Sequence, residues 1–153
     1  MGSLFLVRHA TTRASEAGRN LGQRSDPPLT PEGHRLAART GAAIAAELAA
    51  LPHGAARIVT SPARRCRETA AALATALAVR AAGIQVEAGL WEIDYGAWEG
   101  MTQDQVRARD PELRAAYERD PYETRIPGGE SGREVAERAS GVLDALEQWL
   151  AAD

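Results

Sequence analysis

The apolar run Leu4-Phe5-Leu6-Val7 stops abruptly at Arg8 and His9. Four apolar residues in a row, without the alternation of a half-wet strand, suit a strand buried on both faces, as in the middle of a parallel sheet. The spacing predicts this first strand over 3–7. A parallel sheet constrains the rest of the chain, because parallel neighbours can be joined only by long crossovers, usually helices. The run is also a rigid stem with a cation and an imidazole at its carboxyl end, where open α/β sheets bind ligands. Histidine is the side chain best placed to act as nucleophile or proton carrier near neutral pH.

The pattern downstream agrees with an α/β layered domain. Residues 8–30 form a polar loop, long enough to be functional. Thr30, followed by Pro31 and Glu32, is an N-cap signature for a helix with its apolar stripe on Leu36, Ala43, Ile44, Leu48 and Leu51. Pro52-His53-Gly54 ends that helix. A second strand is expected over 57–60. Ser61-Pro62 opens a helix whose buried stripe runs through Ala70, Leu73 and Leu77. A third strand over 84–87 leads into the loop 90–100. Short helices follow over 102–109 and 111–119, then a turn at Ile126-Pro127-Gly128-Gly129. Ser131 and Glu134 have capping-box spacing and open a last helix with a stripe of Val135, Ala139, Val142, Leu143, Leu146 and Leu150. The alternation predicts a layered α/β/α fold with a mainly parallel central sheet. After the last helix such a fold would cross back to another strand, and that last strand is lacking here.

Bulk properties narrow the function. The chain has 153 residues, read as one domain over 1–153, enough to bury about 70% of its unfolded surface. With a net charge of -3 it has no electrostatic footprint for nucleic acid. The opening apolar stretch is too short for a signal peptide or a membrane span. The single cysteine, Cys66, excludes an internal disulfide and suits a reducing, cytoplasmic setting. The three histidines are scattered and Cys66 stands alone, so no metal cluster is expected. Nothing in the sequence sets an oligomeric state.

Three further segments can carry chemistry. Thr60-Ser61-Pro62-Ala63-Arg64-Arg65-Cys66-Arg67 places arginines in the first turn of a helix, where cations oppose the macrodipole. A bound anion would supply the missing negative charge, although a solvated basic face explains Arg64 and Arg67 as well. Leu90 to Gly100 gathers carboxylates, aromatics and glycines, with apolar walls of the kind that keep a carboxyl protonated and ready to donate. Pro127-Gly128-Gly129-Glu130-Ser131 is a loop-to-helix junction. A P-loop and a dinucleotide fingerprint are both absent.

These segments together resemble the histidine phosphatase superfamily, which includes phosphoglycerate mutases and small phosphomonoesterases. The motifs fall in family order: Val7-Arg8-His9-Ala10; Asp26-Pro27-Pro28-Leu29-Thr30 with Gly33; Thr60-Ser61 with Arg65 and Thr69-Ala70; Leu90-x-Glu92 with Tyr95-Gly96-x-Trp98-Glu99-Gly100; and Gly129-Glu130-Ser131. The resemblance implies a phosphoglycerate mutase-like fold and a phosphomonoester hydrolase acting on a small phosphorylated metabolite. It makes His9 the nucleophile and phosphohistidine carrier, and Glu92 the proton donor. Arg8 and Arg65 become the phosphate clamp, with Ser15 at a position where many members have asparagine. Tyr95 and Gln23 are assigned to substrate binding, no cofactor is implied, and inorganic phosphate or a small phosphate ester is the expected partner. Aromatic packing explains Trp91, Tyr95 and Trp98 equally well.

Two departures bear on this. Ala10-Thr11-Thr12 replaces the usual Gly-Glu-Thr or Gly-Glu-Ser. The family's second histidine, at the tip of a late strand, has no counterpart: His34 and His53 flank the first long helix and match no motif. The resemblance therefore implies a chain truncated at its carboxyl end. The alternatives are a phosphoglycerate mutase and, given the absent histidine, a non-catalytic phosphate-binding module.

Overall fold

A computed structural model describes residues 3–50 and 56–152. The fold is mixed α/β, with helices around a small parallel sheet. In chain order the elements are α1 (Arg13–Glu16), α2 (Pro31–Ala49), β1 (Ile58–Thr60), α3 (Arg64–Ala76), β2 (Ile84–Val86), α4 (Gln103–Arg109), α5 (Pro111–Arg119) and α6 (Gly132–Ala152). Strands β1 and β2 pair in parallel, with Ile58 opposite Ile84 and Thr60 opposite Val86. α3 is the crossover between them.

Helix starts follow the local chemistry. The Thr30 side chain accepts from Gly33 N, with Pro31 in the first turn of α2. Thr102 and Gln105 close a reciprocal capping box on α4. Glu134 accepts from Ser131 N at 2.9 Å, and Ser131 Oγ accepts from Glu134 N, at the start of α6. The loop 8–30 is less open than the sequence suggested. It contains α1 and two antiparallel bridges, Thr12 to Leu29 and Arg19 to Thr102.

The apolar core falls into clusters. Ile58, Ala70, Leu73 and Ala74 join α3 to the sheet, with Ile44, Leu77 and Ile84 packed around them. Ile93, Trp98, Val106 and Ile126 form a second cluster under the loop 90–100. Trp98 is fully buried, meets Tyr117 edge-on at 5.5 Å, and donates its indole N–H to Asp110 at 2.8 Å. A buried indole needs such an acceptor.

Three expectations are corrected. Residues 3–7 form no strand, because they have no ladder partner among the described residues. Their side chains are exposed, Leu6 by 84%. The buried stripe of α2 is Gly33, Ala37 and Gly41, not Leu36 and Ala43, which face outward, while Ile44 and Leu48 are half-buried. Small residues win there because α2 lies close against α3: a Cβ on Gly41 would sit 2.9 Å from Ala76 Cβ. Along α6 the apolar stripe is only half-covered, and Leu143 is exposed. Leu51 and the helix stop at Pro52-His53-Gly54, like Asp153, lie outside the described residues.

Gly96 fixes how the loop 90–100 meets the turn 126–129. Its φ is +46°, and a Cβ would lie 2.3 Å from the Pro127 carbonyl oxygen. Both the left-handed backbone and the close approach require glycine. Gly96→Ala is expected to lower unfolding free energy by about 2–4 kcal/mol in a urea titration. A change under about 0.5 kcal/mol would contradict this packing.

Candidate active site

His9 is half-buried in the segment that leads into α1. Its Nδ1 lies 2.8 Å from the Ala10 carbonyl oxygen. A carbonyl only accepts, so Nδ1 carries the proton and Nε2 keeps its lone pair. Burial lowers the imidazole's proton affinity below the usual value of 6.5, and the charges of Arg65 and Arg8 lower it further. The Ala10 contact and the charge of Glu92 act in the other direction. The charges of Arg65 and Glu92, which come from separate segments, thus bear on the His9 imidazole together with that of its neighbour Arg8.

One hydroxyl ties two of those segments. Thr69 Oγ1 accepts from Ala10 N at 3.0 Å and donates to the Arg65 carbonyl at 2.7 Å. The residue beside the imidazole is thus bonded to the turn of α3 that carries the guanidinium.

Arg65 is 1% exposed. Its Nη1 donates to the Ser25 carbonyl at 3.2 Å, and its Nη2 donates to Leu21 at 3.2 Å and Gly22 at 3.0 Å. Its Nε is buried with no partner among the described residues. The same loop is held from the other side by Glu99, whose Oε1 accepts from Gly22 N and Ser25 N. Arg8 is exposed, with no hydrogen bond or ion pair among the described residues.

At the start of α3 the chain supplies one anion of its own. Asp26 Oδ1 accepts from Arg64 N at 2.6 Å, so a carboxylate of the chain itself sits at that helix end. Glu68 then takes the Arg64 side chain at 2.7 Å. Sequence spacing gave no sign that Asp26 reaches a helix 38 residues away.

Glu92 is exposed, and its Oε1 accepts from Ile93 N at 2.9 Å. The apolar walls expected around it are turned away, since Ile93 and Trp98 point into the core. Tyr95 packs on that core, and burial followed by the Glu92 charge pushes its hydroxyl up to about 12. Burial also raises the Cys66 thiol.

Ser15 closes a capping box with Thr12 and gives its only proton to the Thr12 carbonyl at 2.8 Å. It borders an open cleft of about 440 Å³ beside Arg8, His9, Glu16, Thr40 and Thr69. Arg65 and Glu92 are not on the lining of that cleft. Gln23 turns inward, donating to the Glu92 carbonyl at 3.0 Å and to Glu130 at 3.1 Å.

The chain matches the histidine phosphatase superfamily (branch 1) over residues 4–151. It is 41% identical over 143 residues to Bifunctional protein Rv2228c of Mycobacterium tuberculosis, covering 94% of this chain and 36% of that one. It is 30% identical to Phosphoserine phosphatase 1 of Hydrogenobacter thermophilus, covering 95% of this chain and 64% of the relative. Other relatives carry a phosphoglycerate mutase name. The mycobacterial glucosyl-3-phosphoglycerate phosphatase Rv2419c, solved with VO3, superposes with a TM-score of 0.75 at 28% identity, covering 92% of this chain and 64% of that one. The chain thus spans about a third of the first relative and under two thirds of the other two. It belongs to the histidine phosphatase superfamily.

Two outcomes follow from this geometry. Thr69→Val removes the acceptor for a buried N–H and is expected to cost about 1–3 kcal/mol in urea unfolding. His9 is expected to titrate below 6.5 by NMR, and Arg8→Ala to move it upward by removing a cation. Because the folded state resists the proton, the unfolded chain binds it first between the lowered folded value and 6.5. His9 therefore withdraws stability as pH falls through that window. A His9 midpoint above 6.5 would contradict the burial and charges described.

Proposed function

We propose that this chain is the phosphoryl-transfer part of a phosphomonoester hydrolase that works through a phosphohistidine at His9. The observation that carries the proposal is the His9 imidazole, its Nδ1 proton tied to the Ala10 carbonyl and its Nε2 free, in the field of Arg65 and Arg8.

In this reading Nε2 attacks phosphorus in line with the ester oxygen. The P–N bond forms as the P–O bond breaks, and Glu92 protonates the departing alkoxide. Water then attacks the phosphohistidine with Glu92 as base, releasing inorganic phosphate. Arg8 and the unpartnered Nε of Arg65 meet the non-bridging oxygens, where fixed donors stabilise developing charge. An oxyanion there would also satisfy a buried N–H that otherwise costs about 1–3 kcal/mol.

Tyr95 stays protonated at any working pH and is assigned to the substrate's organic part. Gln23 acts there through the Glu92 backbone. Ser15 reaches phosphate only if its capping box opens, so its share in binding is the smallest. The exposure of Glu92 suits a proton donor that must also admit water.

Relatives with a phosphoglycerate mutase name favour a second reading, in which the phosphohistidine returns its phosphoryl group to another hydroxyl. Stimulation by a bisphosphorylated glycerate separates that reading from simple hydrolysis. The direct experiment is rapid-quench labelling with a phosphate ester. Wild type is expected to trap acid-labile phosphate on His9 and release inorganic phosphate. His9→Ala is expected to lose the label and about a thousandfold or more in turnover. Phosphate binding without label or turnover would leave only the binding-module reading.

A further inference from the structure

The loop that carries Glu92 is held by a pair of charges that lie outside the reacting centre. Arg138, two turns into α6, and Glu130, just before that helix, form a two-point ion pair: Arg138 Nε to Glu130 Oε1 and Nη2 to Oε2, each 3.0 Å. Paired planar groups fix orientation as well as distance. Both side chains are about four-fifths buried, at 22% and 20% exposure.

Each partner also grips the backbone of the loop. Arg138 Nη1 donates to the Gly89 carbonyl at 2.8 Å and its Nη2 donates to the Glu92 carbonyl at 3.0 Å. Glu130 Oε2 accepts from Asp94 N at 2.9 Å and from Gln23 Nε2, which itself donates to the Glu92 carbonyl. The loop is thereby fastened at 89, 92 and 94 by opposite charges that neutralise each other.

Close packing reinforces the arrangement. A Cβ on Gly89 would meet the Arg138 carbonyl oxygen at 2.6 Å, so the loop lies directly on α6. A Cβ on Gly129 would meet the Asp94 carbonyl oxygen at 2.1 Å. By contrast, among the described residues the Glu92 carboxylate has only its neighbour's amide, Ile93 N, to steady it. Its position therefore depends on its backbone, and its backbone depends on this pair.

We infer that Arg138 and Glu130 are positioning residues, which set the Glu92 carboxyl for proton donation without touching the substrate. The inference rests on the reading of Glu92 as proton donor, and the test keeps the two apart. A misplaced donor slows only those reactions that need its proton, and displacement of about 1 Å can cost up to about a hundredfold. A merely structural role would slow all substrates alike.

The test compares kcat/KM for phenyl phosphate, whose phenolate leaves poorly, with that for para-nitrophenyl phosphate, whose phenolate leaves without help. This constant stops at phosphoryl transfer, so hydrolysis of the phosphohistidine does not mask the effect. Glu92→Gln is expected to lose at least about a hundredfold more on the phenyl ester than on the nitrophenyl ester. Arg138→Ala should reproduce that selectivity at about tenfold, with Arg138→Lys and Glu130→Gln falling between it and wild type. The two milder variants keep the test alive if Arg138→Ala does not fold.

Equal losses on both esters in the Arg138 and Glu130 variants, with Glu92→Gln selective, would overturn the positioning role alone. Equal losses in Glu92→Gln, or a wild type that turns over neither ester, would remove the proton-donor reading and this inference with it.

Discussion

An arginine with 1% of its surface exposed governs how this chain arranges its loops. Burying a charge is costly unless hydrogen bonds replace its water. Arg65 meets that demand with three backbone carbonyls, all from residues 21–25. The loop must therefore wrap the arginine, which turns its amides outward to Glu99. Gln23 then reaches the Glu92 carbonyl, and the loop 90–100 joins the same framework. Thr69, one turn further along α3, adds the segment bearing His9. Four stretches that are distant in sequence thus converge on one buried cation.

What could be read from the sequence was local. Thr30 with Pro31 and Ser131 with Glu134 marked helix starts because a capping side chain bonds within three residues of itself. β1, α3, β2, α4 and α5 fall within a few residues of their expected bounds for similar reasons. The run Leu4–Val7 failed as a strand because a strand is a property of two segments, and its apolar pattern specifies no partner. The buried face of α2 was missed because glycine and alanine carry little hydrophobic signal, yet close helix contact selects them.

The candidate site divides in the same way. His9, Arg65 and Glu92 stood out through motif order, and the charges of Arg65 and Glu92 both bear on the His9 imidazole. Asp26 and Glu99 appeared only as motif members without a role, and Arg138 not at all, because each acts across tens of residues, on a helix start or a loop backbone. An arginine on α6, even one that is about four-fifths buried, reads in sequence as one more solvated charge. Ser15 was the reverse case, a plausible phosphate donor whose hydroxyl already closes a helix cap.

The central claim is that the imidazole of His9 and the guanidinium of Arg65 grip the same tetrahedral ion. A crystal structure with vanadate tests it most directly. The account predicts vanadium bonded to His9 Nε2, with one equatorial oxygen accepting from Arg65 Nε and others near Arg8. Vanadate seated in the cleft beside Thr40 with Arg65 out of reach, or bound away from His9 altogether, would contradict it.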